Sequence, residues 1–323
     1  MDDVLKALSA GGYVSGEALS QALGITRAAV WKRIEALRQA GYVIESGGKR
    51  GYRLIPPADG VDPLFWQGAL TTRWAGRPEC LYAWEMTSTN TVLKEAVAQG
   101  AARGTVALCE SQTSGKGRLG RSWFSPPGQG LWLSVLARPR LAPGDAALLT
   151  LASALAMAQA VEEAGFAPRI KWPNDLVLEG KKICGILLEM AADQDRLDYV
   201  VIGTGLNTGP GSYPAELQGK AWSLGEAAGR PVPRVPVLLA YLKHLEAAVE
   251  RLETAGLAGI RADYECRSCT LGKRVQVTGG TVCQGIAQGM DETGALLVRE
   301  DNGRVCRVLA GDVSVRGVMG YAL

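Results

Sequence analysis

Glycines and cations alternate in the segment 111–123, which lies in an otherwise apolar part of the chain. The glycines are Gly115, Gly117 and Gly120, and the cations are Lys116, Arg118 and Arg121. Glycine lets the backbone approach an anion closely, and the cations can neutralise a phosphate or an acyl phosphate. The segment therefore predicts an anion-binding loop that becomes ordered when its ligand binds. A basic surface loop with glycines at its turns fits the same residues.

The spacing of these glycines separates the loop from two common nucleotide-binding motifs. It does not match the G-x-x-x-x-G-K-[ST] phosphate loop. It does read G-x-G-x-x-G, but Trp123, Pro126 and Pro127 follow where the dinucleotide-binding motif needs a helix. A dinucleotide-binding fold is therefore disfavoured.

Two other short segments carry side chains that bind ligands. Residues 88–90 read Ser-Thr-Asn, and residues 171–175 read Lys-Trp-Pro-Asn-Asp. Each has a structural alternative, because 88–90 fits a helix N-cap and 171–175 fits a surface ion pair beside a core corner. The residues after the second segment predict a hairpin, with strands at 176–178 and 183–186 and a turn at 179–182.

Histidine and cysteine chemistry is disfavoured by composition. His244 is the only histidine and lies among leucines at helical spacing, which indicates a structural role. Seven cysteines, an odd number, suit reduced thiols better than a disulfide framework. Cys266 and Cys269 form one close pair without a second close pair, so a zinc site is disfavoured as well.

Length and hydropathy indicate a multi-domain cytoplasmic protein. The chain has 323 residues, of which 47% are apolar and 21% charged, as expected for two or three globular domains. Its start lacks the layout of a signal peptide, and we expect no membrane span because no apolar run reaches the roughly 20 residues required.

The first 60 residues predict a winged helix-turn-helix. Apolar positions at helical spacing indicate helices at 2–10, from Ser15 to Gly24, and after Thr26. Two strand-like runs, 42–46 and 51–55, then flank a basic turn, and Pro56 to Gly60 read as a linker. The net charge of the whole chain is only +3, but 27–53 holds seven basic and two acidic side chains.

This distribution of charge predicts that the third helix and the wing bind DNA. The helix contributes Thr26, Arg27, Ala28, Lys32 and Arg33, and the tip of the wing contributes Lys49 and Arg50. A three-helix module that binds protein, with solvated cations, is the alternative.

The rest of the chain predicts an α/β domain followed by a small β domain. Strand-like runs at 105–109, 131–137, 183–189 and 199–204 alternate with helices, which are clearest at 146–164 and 236–253, and this pattern favours a mixed sheet. Five short strand-like runs follow between 274 and 315 and indicate a small barrel. They are 274–277, 281–287, 295–299, 305–309 and 313–315.

Segments 88–90, 115–123 and 171–175, together with Lys182 and Gly205-Leu206-Asn207, closely resemble biotin protein ligases over nearly the whole chain. The winged helix makes the chain similar to the bifunctional bacterial form, which is both a ligase and the biotin operon repressor. The resemblance implies a winged helix-turn-helix domain at 1–60 and a catalytic domain at 61–268. The latter is an α/β domain with a mixed sheet like that of class II aminoacyl-tRNA synthetases. An SH3-like β-barrel is implied at 269–323.

The family resemblance also implies the reaction and its partners. Biotin and ATP, with Mg²⁺, give biotinyl-5′-AMP, and the biotinyl group then passes to a lysine of the biotin carboxyl carrier protein of acetyl-CoA carboxylase. The adenylate promotes a homodimer that binds operator DNA. Two alternatives remain, a DNA-binding biotin sensor without ligase activity and a lipoate-type ligase.

Roles for individual residues follow from the same resemblance. Lys116, Arg118 and Lys182 are implied to be catalytic, and the implied biotin-binding residues are Ser88, Thr89, Asn90, Gln112, Lys116, Gly117, Arg118 and Lys182. The implied nucleotide-binding residues are Arg121, Trp123, Asn174, Asp175 and Asn207, with Mg²⁺ or a loop-ordering role near Asp175 and Arg316 near the nucleotide. The family commonly has arginine where this chain has Lys116 and Leu119.

Overall fold

The computed structural model describes residues 3–56, 59–193, 196–211, 213–310 and 313–317. The chain forms two compact units, Met1–Gly68 and Ala69–Leu323. The domain limits expected from the sequence, at 60 and at 268, stay predictions.

The first unit contains three helices and a hairpin. The helices are α1 (Asp3–Ser9), α2 (Gly16–Leu23) and α3 (Arg27–Gln39), and strand β1 (Val43–Ser46) pairs antiparallel with β2 (Tyr52–Ile55). The side chain of Ser15 accepts a hydrogen bond from the Ala18 amide, and Thr26 accepts one from the Ala29 amide. Gly24 ends α2 with a φ of 63°, a conformation that favours glycine. The predicted helix-turn-helix and its hairpin are confirmed.

A seven-stranded sheet forms the centre of the second unit. Its strands are β3 (Cys80–Met86), β4 (Val106–Gln112), β5 (Gly130–Ala137), β6 (Arg169–Lys171), β7 (Asp175–Leu178), β8 (Lys181–Asp193) and β9 (Arg196–Asn207). Their order is β3-β4-β5-β9-β8-β7-β6. The β3–β4 pair is parallel and the other pairs are antiparallel, which confirms the predicted mixed sheet.

Five helices accompany this sheet. They are α4 (Thr89–Ala98), α5 (Ala147–Glu163), α6 (Leu224–Ala228), α7 (Arg234–Ala255) and α8 (Arg261–Glu265). By length and composition alone, the helical segment Pro143–Glu163 could cross a membrane. Most of this segment is buried inside the protein, as in a core helix that is apolar on all sides.

A second, five-stranded sheet lies near the end of the chain. Its strands are β10 (Arg274–Gly279), β11 (Cys283–Met290), β12 (Leu296–Glu300), β13 (Val305–Val308) and β14 (Val313–Gly317). They follow the order β13-β12-β11-β10-β14, and every pair is antiparallel. The five predicted strands are therefore present.

Candidate functional site

A cavity of about 490 Å³ in the second unit brings most of the predicted ligand-binding residues together. Those that line it are Ser88, Thr89, Asn90, Gln112, Lys116, Gly117, Arg118, Arg121, Trp123, Asn174, Lys182 and Asn207. Ser314, Val315 and Arg316 of β14 line it too. The volume lies in the range of pockets that hold drug-sized ligands. Asp175 lies beside the cavity and is absent from the described lining.

Glycines on two neighbouring strands make room for this cavity. A Cβ atom on Gly203 of β9 would lie 2.2 Å from Asn90 Oδ1, and one on Gly205 would lie 2.4 Å from Trp123 Nε1. A Cβ atom on Gly185 of β8 would lie 2.9 Å from Trp123 Cζ3. Gly203 and Gly205 alternate along β9 and so face the same side of the sheet. This alternation within an apolar strand was a sequence signal for close approach.

The start of α4 is part of a buried polar network. Gln112 Oε1 accepts hydrogen bonds from the Thr89 amide (2.9 Å) and the Thr89 hydroxyl (3.2 Å). Gln112 Nε2 donates to Ser125 Oγ at 2.8 Å. Ser88 occupies the N-cap position, but its side chain makes no capping hydrogen bond. The N-cap alternative for segment 88–90 therefore explains its position and leaves its side chains for another role.

Two residues of this network escaped the sequence analysis. Ser134 Oγ lies 2.7 Å from Thr89 Oγ1 and 2.6 Å from Asn90 Oδ1. Glu189 Oε2 accepts a hydrogen bond from Asn90 Nδ2 at 2.8 Å, and its other oxygen lies 2.5 Å from Lys94 Nζ. Each is a polar residue inside an apolar strand, and that interruption was the available signal.

The environment of Glu189 keeps its carboxylate charged. Burial by itself raises the pKa of this carboxyl, but hydrogen bonds from Lys94 and Asn90 outweigh the effect and hold the pKa below its usual value. A charged acceptor fixes the orientation of the Asn90 amide, with Nδ2 toward Glu189 and Oδ1 toward Ser134.

The glycine-rich loop folds back on itself beside the cavity. The Gly117 amide donates to the Arg121 carbonyl (2.7 Å), and the Trp123 amide donates to the Gly115 carbonyl (2.8 Å). Leu119 lies at the turn with a φ of 58°, a left-handed conformation that is costly for a leucine. Leu119 also lines the cavity.

Arg118 links the loop to two other segments. Its Nη1 donates to Asn174 Oδ1 at 2.7 Å, and its Nη2 donates to the Ala310 carbonyl at 2.6 Å. Lys116 is more exposed, and its Nζ donates to Thr91 Oγ1 at 3.1 Å. The two loop cations therefore differ, since Arg118 is held by the surrounding protein and Lys116 by a single hydroxyl group at the surface.

Lys182 lies between a carboxylate and an aromatic ring. Its Nζ is 2.5 Å from Asp175 Oδ1 and 5.2 Å from the centroid of the Trp123 ring. Lys171 of β6 lies opposite Asp175 of β7 in the strand register. Lys171 is only 4% exposed, so the alternative of an ion pair at the surface is wrong. Burial lowers the pKa of Lys171 to about 8.

Asn174 and Asn207 are both fixed by main-chain carbonyls. Asn174 Nδ2 donates to Ile186 (3.0 Å), and Asn207 Nδ2 donates to Trp222 (2.9 Å). Arg121 is exposed at the mouth of the loop. The lining of the cavity thus includes both preorganised amides and cations.

Most of the predicted DNA-binding residues are exposed in the first unit. Thr26, the N-cap of α3, is exposed, as are Arg27, Ala28 and Lys32 on the helix, whereas Arg33 is half-buried. Lys49 and Arg50 lie in the turn between β1 and β2. The Arg50 guanidinium lies 4.2 Å from the centroid of the Tyr13 ring, a cation–π contact.

Histidine and cysteine take no part in the described lining of the cavity. His244 Nε2 lies 2.7 Å from Glu163 Oε1 and joins α7 to α5. Cys266 is exposed, and Cys269 is half-buried with its thiol against the Ile170 carbonyl. Across the described ranges no group of three or more His, Cys, Asp or Glu side chains is placed to hold a metal ion.

Three family models match successive parts of the chain. Residues 1–53 match an HTH domain, 83–207 match the biotin/lipoate A/B protein ligase family, and 270–316 match the biotin protein ligase C-terminal domain. The matches follow the order of the helix-turn-helix, the mixed sheet and the antiparallel sheet.

Individual relatives are similar over almost the full chain. The bifunctional ligase/repressor BirA of Bacillus subtilis is 35% identical over 320 residues, covering 97% of this chain and 98% of the relative. The protein of the same name from Escherichia coli is 31% identical over 315 residues, covering 97% of this chain and 96% of the relative. A solved structure, the biotin protein ligase from Aquifex aeolicus in complex with biotin and ATP, is 30% identical with a TM-score of 0.65 and covers 74% of this chain and 99% of that chain.

Proposed function

The chain belongs to the biotin protein ligase family, and from this we propose that it is an ATP-dependent biotin ligase and a transcriptional repressor. It makes biotinyl-5′-AMP, transfers biotin to a lysine of a biotin carboxyl carrier protein, and represses biotin synthesis genes when the adenylate is bound. The observation that carries the ligase function is that Thr89, Asn90, Arg118 and Lys182 line the same cavity.

The first half-reaction needs no nucleophile from the protein. A carboxylate oxygen of biotin attacks the α-phosphorus of ATP, a new C–O–P link forms, and the bond to pyrophosphate breaks. The protein has to position two anions and stabilise the charge that develops on the phosphate. Arg118 and Lys182 both reach the cavity, and the fixed position of Arg118 makes its charge available without reorganisation.

The second half-reaction transfers the acyl group to the carrier. The neutral amine of the carrier lysine attacks the acyl carbonyl of the adenylate, the C–N bond forms, and the C–O bond to AMP breaks as the amine loses a proton. We assign Lys182 to the stabilisation of the departing phosphate, because this cation lines the cavity together with Arg118.

The polar network supplies the recognition of biotin. We assign the ureido ring to Thr89, Asn90 and Gln112. Ser134 and Glu189 fix the side chains of Thr89 and Asn90, and Gln112 is held by Thr89 and Ser125. Trp123 provides an apolar wall. Asn174, Asn207 and Arg121 are assigned to the nucleotide, and Arg316 also lines the cavity.

Magnesium is proposed to arrive with ATP. Asp175 is paired with Lys182 and lies outside the described lining, so this carboxylate does not fit a direct Mg²⁺ ligand in this conformation. Mg²⁺ commonly keeps its waters and binds through substrate phosphates. When bound, it would neutralise phosphate charge alongside Arg118 and Lys182.

We also propose the fold type of the two sheets and the assembly of the protein. The five-stranded antiparallel sheet supports an SH3-like barrel, and the central mixed sheet supports a likeness to class II aminoacyl-tRNA synthetases. We also propose that the adenylate promotes a homodimer, whose two helix-turn-helix units read a two-fold operator. Operator DNA and the carrier would place the protein in the cytoplasm.

The ligase function is tested by incubating the protein with ATP, biotin and a carrier domain and measuring the mass of the carrier by mass spectrometry. We expect the mass of the carrier to increase by one biotinyl group on one lysine, and to stay unchanged when ATP is omitted. Lipoate in place of biotin is the control for the lipoate-type alternative. An unmodified carrier, with the protein still bound to operator DNA, would instead indicate a biotin sensor without ligase activity.

A further inference from the structure

An exposed tryptophan lies in the middle of the basic face of α3. Trp31 is 54% exposed, although large apolar side chains are usually buried. Arg27 and Ala28 lie one helical turn before it on the same face, Lys32 follows it directly, and all three are exposed. The buried residues of α3 are Val30, Ile34 and Leu37. Trp31 is therefore not required by the core of its own unit.

The second half of α3 is occupied by contacts within the unit. The Arg38 guanidinium donates twice to the Ile44 carbonyl, at 3.0 and 2.6 Å, and pairs with Glu35 at 2.6 Å. These bonds join the end of the helix to β1. The first two turns of α3, which carry Trp31, are left as the exposed basic surface.

We propose that Trp31 contacts the methyl-bearing edge of a thymine in the major groove and contributes to the choice of operator sequence. The proposal rests on the repressor function proposed above. In a helix-turn-helix protein the N-terminal part of the second helix of the motif, here α3, reaches the base edges. Phosphate contacts by cations carry no sequence information, whereas apolar contacts distinguish thymine by its methyl group. Ala28, one turn earlier, is small enough to let the indole approach the bases.

The test uses the full chain with biotin and ATP and a pool of random duplex DNA. Once the wild type has enriched a sequence, affinities are measured for that sequence and for a scrambled one. We expect Trp31→Ala to lower the ratio of the two affinities by on the order of tenfold, within the usual cost of one mismatched base pair, with scrambled DNA bound as before. Trp84→Ala removes a tryptophan that is 49% exposed in the second unit and should change neither value.

Removing the thymine methyl group provides the second arm. Replacing each thymine of the enriched sequence by deoxyuridine should weaken wild-type binding at one position per half-site and leave Trp31→Ala unaffected there. The inference is overturned if Trp31→Ala keeps the wild-type ratio of the two affinities. It is also overturned if deoxyuridine lowers the affinity of the variant as much as that of the wild type. A wild type that enriches no sequence would contradict the repressor function itself, and the inference with it.

Discussion

At the scale of single residues, the chemistry depends on side chains that lie behind those facing the ligand. Glu189 is absent from the described lining of the cavity, yet it accepts a hydrogen bond from Asn90 and forms an ion pair with Lys94. Such partners hold a binding group in one rotamer and one amide orientation. Function at this site is therefore sensitive to a residue that touches no substrate.

Glu189→Gln is expected to weaken biotin binding more than catalysis. The variant keeps the shape of the side chain but loses the charged acceptor for Asn90, and hydrogen bonds to charged groups contribute about 1.5–3 kcal/mol. We expect KM for biotin to rise roughly tenfold with kcat nearly unchanged. The measurement is steady-state biotinylation of a carrier at varied biotin. Glu95→Gln, an exposed carboxylate on the same helix as Asn90, is the control, and an equal loss in both variants would argue against the positioning role.

Lys171 should make stability rise with pH in one window. Burial lowers its pKa from 10.5 to about 8 in the folded state. Between these values the unfolded chain binds more protons than the folded chain, so the free energy of unfolding increases with pH. Below pH 8 both states are protonated, and the effect is a constant penalty.

The test compares urea denaturation of the wild type and Lys171→Met from pH 7 to pH 10. The stability of the wild type relative to the variant should increase above pH 8. A difference that stays constant over the whole range would show that Lys171 keeps its ordinary pKa.

At the scale of elements, a buried ion pair joins α7 to the central sheet. Arg234, the first residue of α7, lies 2.7 Å from Glu110 of β4 and donates to the Gly130 carbonyl at the start of β5. Both side chains are about 5% exposed or less. Removing one partner would leave a buried charge, which costs far more than losing an ion pair at the surface.

Arg234→Met is therefore expected to lower the free energy of unfolding by about 3 kcal/mol. Arg251→Met on the same helix breaks a pair with Asp263 in which both side chains are at least 40% exposed, and it should cost about 1 kcal/mol or less. Urea denaturation measures both. The double variant Arg234→Met with Glu110→Leu should recover most of the loss, and no recovery would mean that packing rather than charge is responsible.

Local elements were predictable from sequence because their signals are local. The caps at Ser15 and Thr26, the stop at Gly24 and the five C-terminal strands followed from neighbouring residues. Strand order and the contacts between distant segments were not predictable, since they depend on pairing across the sheet. Ser134 meets Thr89 and Asn90 only because β5 lies beside α4 in space, 45 and 44 positions apart in the chain.

At the scale of the whole molecule, the two compact units divide the proposed work. The cavity belongs entirely to the second unit, and the exposed basic face belongs to the first. Substitutions that remove a phosphate contact should therefore leave ligation intact. Loss of the adenylate, by contrast, should affect both activities, because the adenylate is the proposed corepressor.

Arg50→Ala is expected to weaken operator binding roughly tenfold and to reduce the salt dependence of binding by about one unit. Ligation should continue at the wild-type rate. Lys243→Ala, which removes an exposed cation from the second unit, controls for net charge. Binding at several salt concentrations and carrier biotinylation are the two readouts, and a parallel fall of both in Arg50→Ala would contradict the division of work.

Lys182 is proposed to supply charge for the formation and transfer of the adenylate within the cavity. Single-turnover formation of biotinyl-5′-AMP from labelled ATP tests it most directly, with Lys181→Ala as a matched control, because that neighbouring ammonium lies over the Trp222 ring instead. We expect Lys182→Ala to slow the reaction by a factor on the order of 10² to 10³, the usual cost of losing one stabilising group, and Lys181→Ala to have little effect. A wild-type rate in Lys182→Ala would contradict the account.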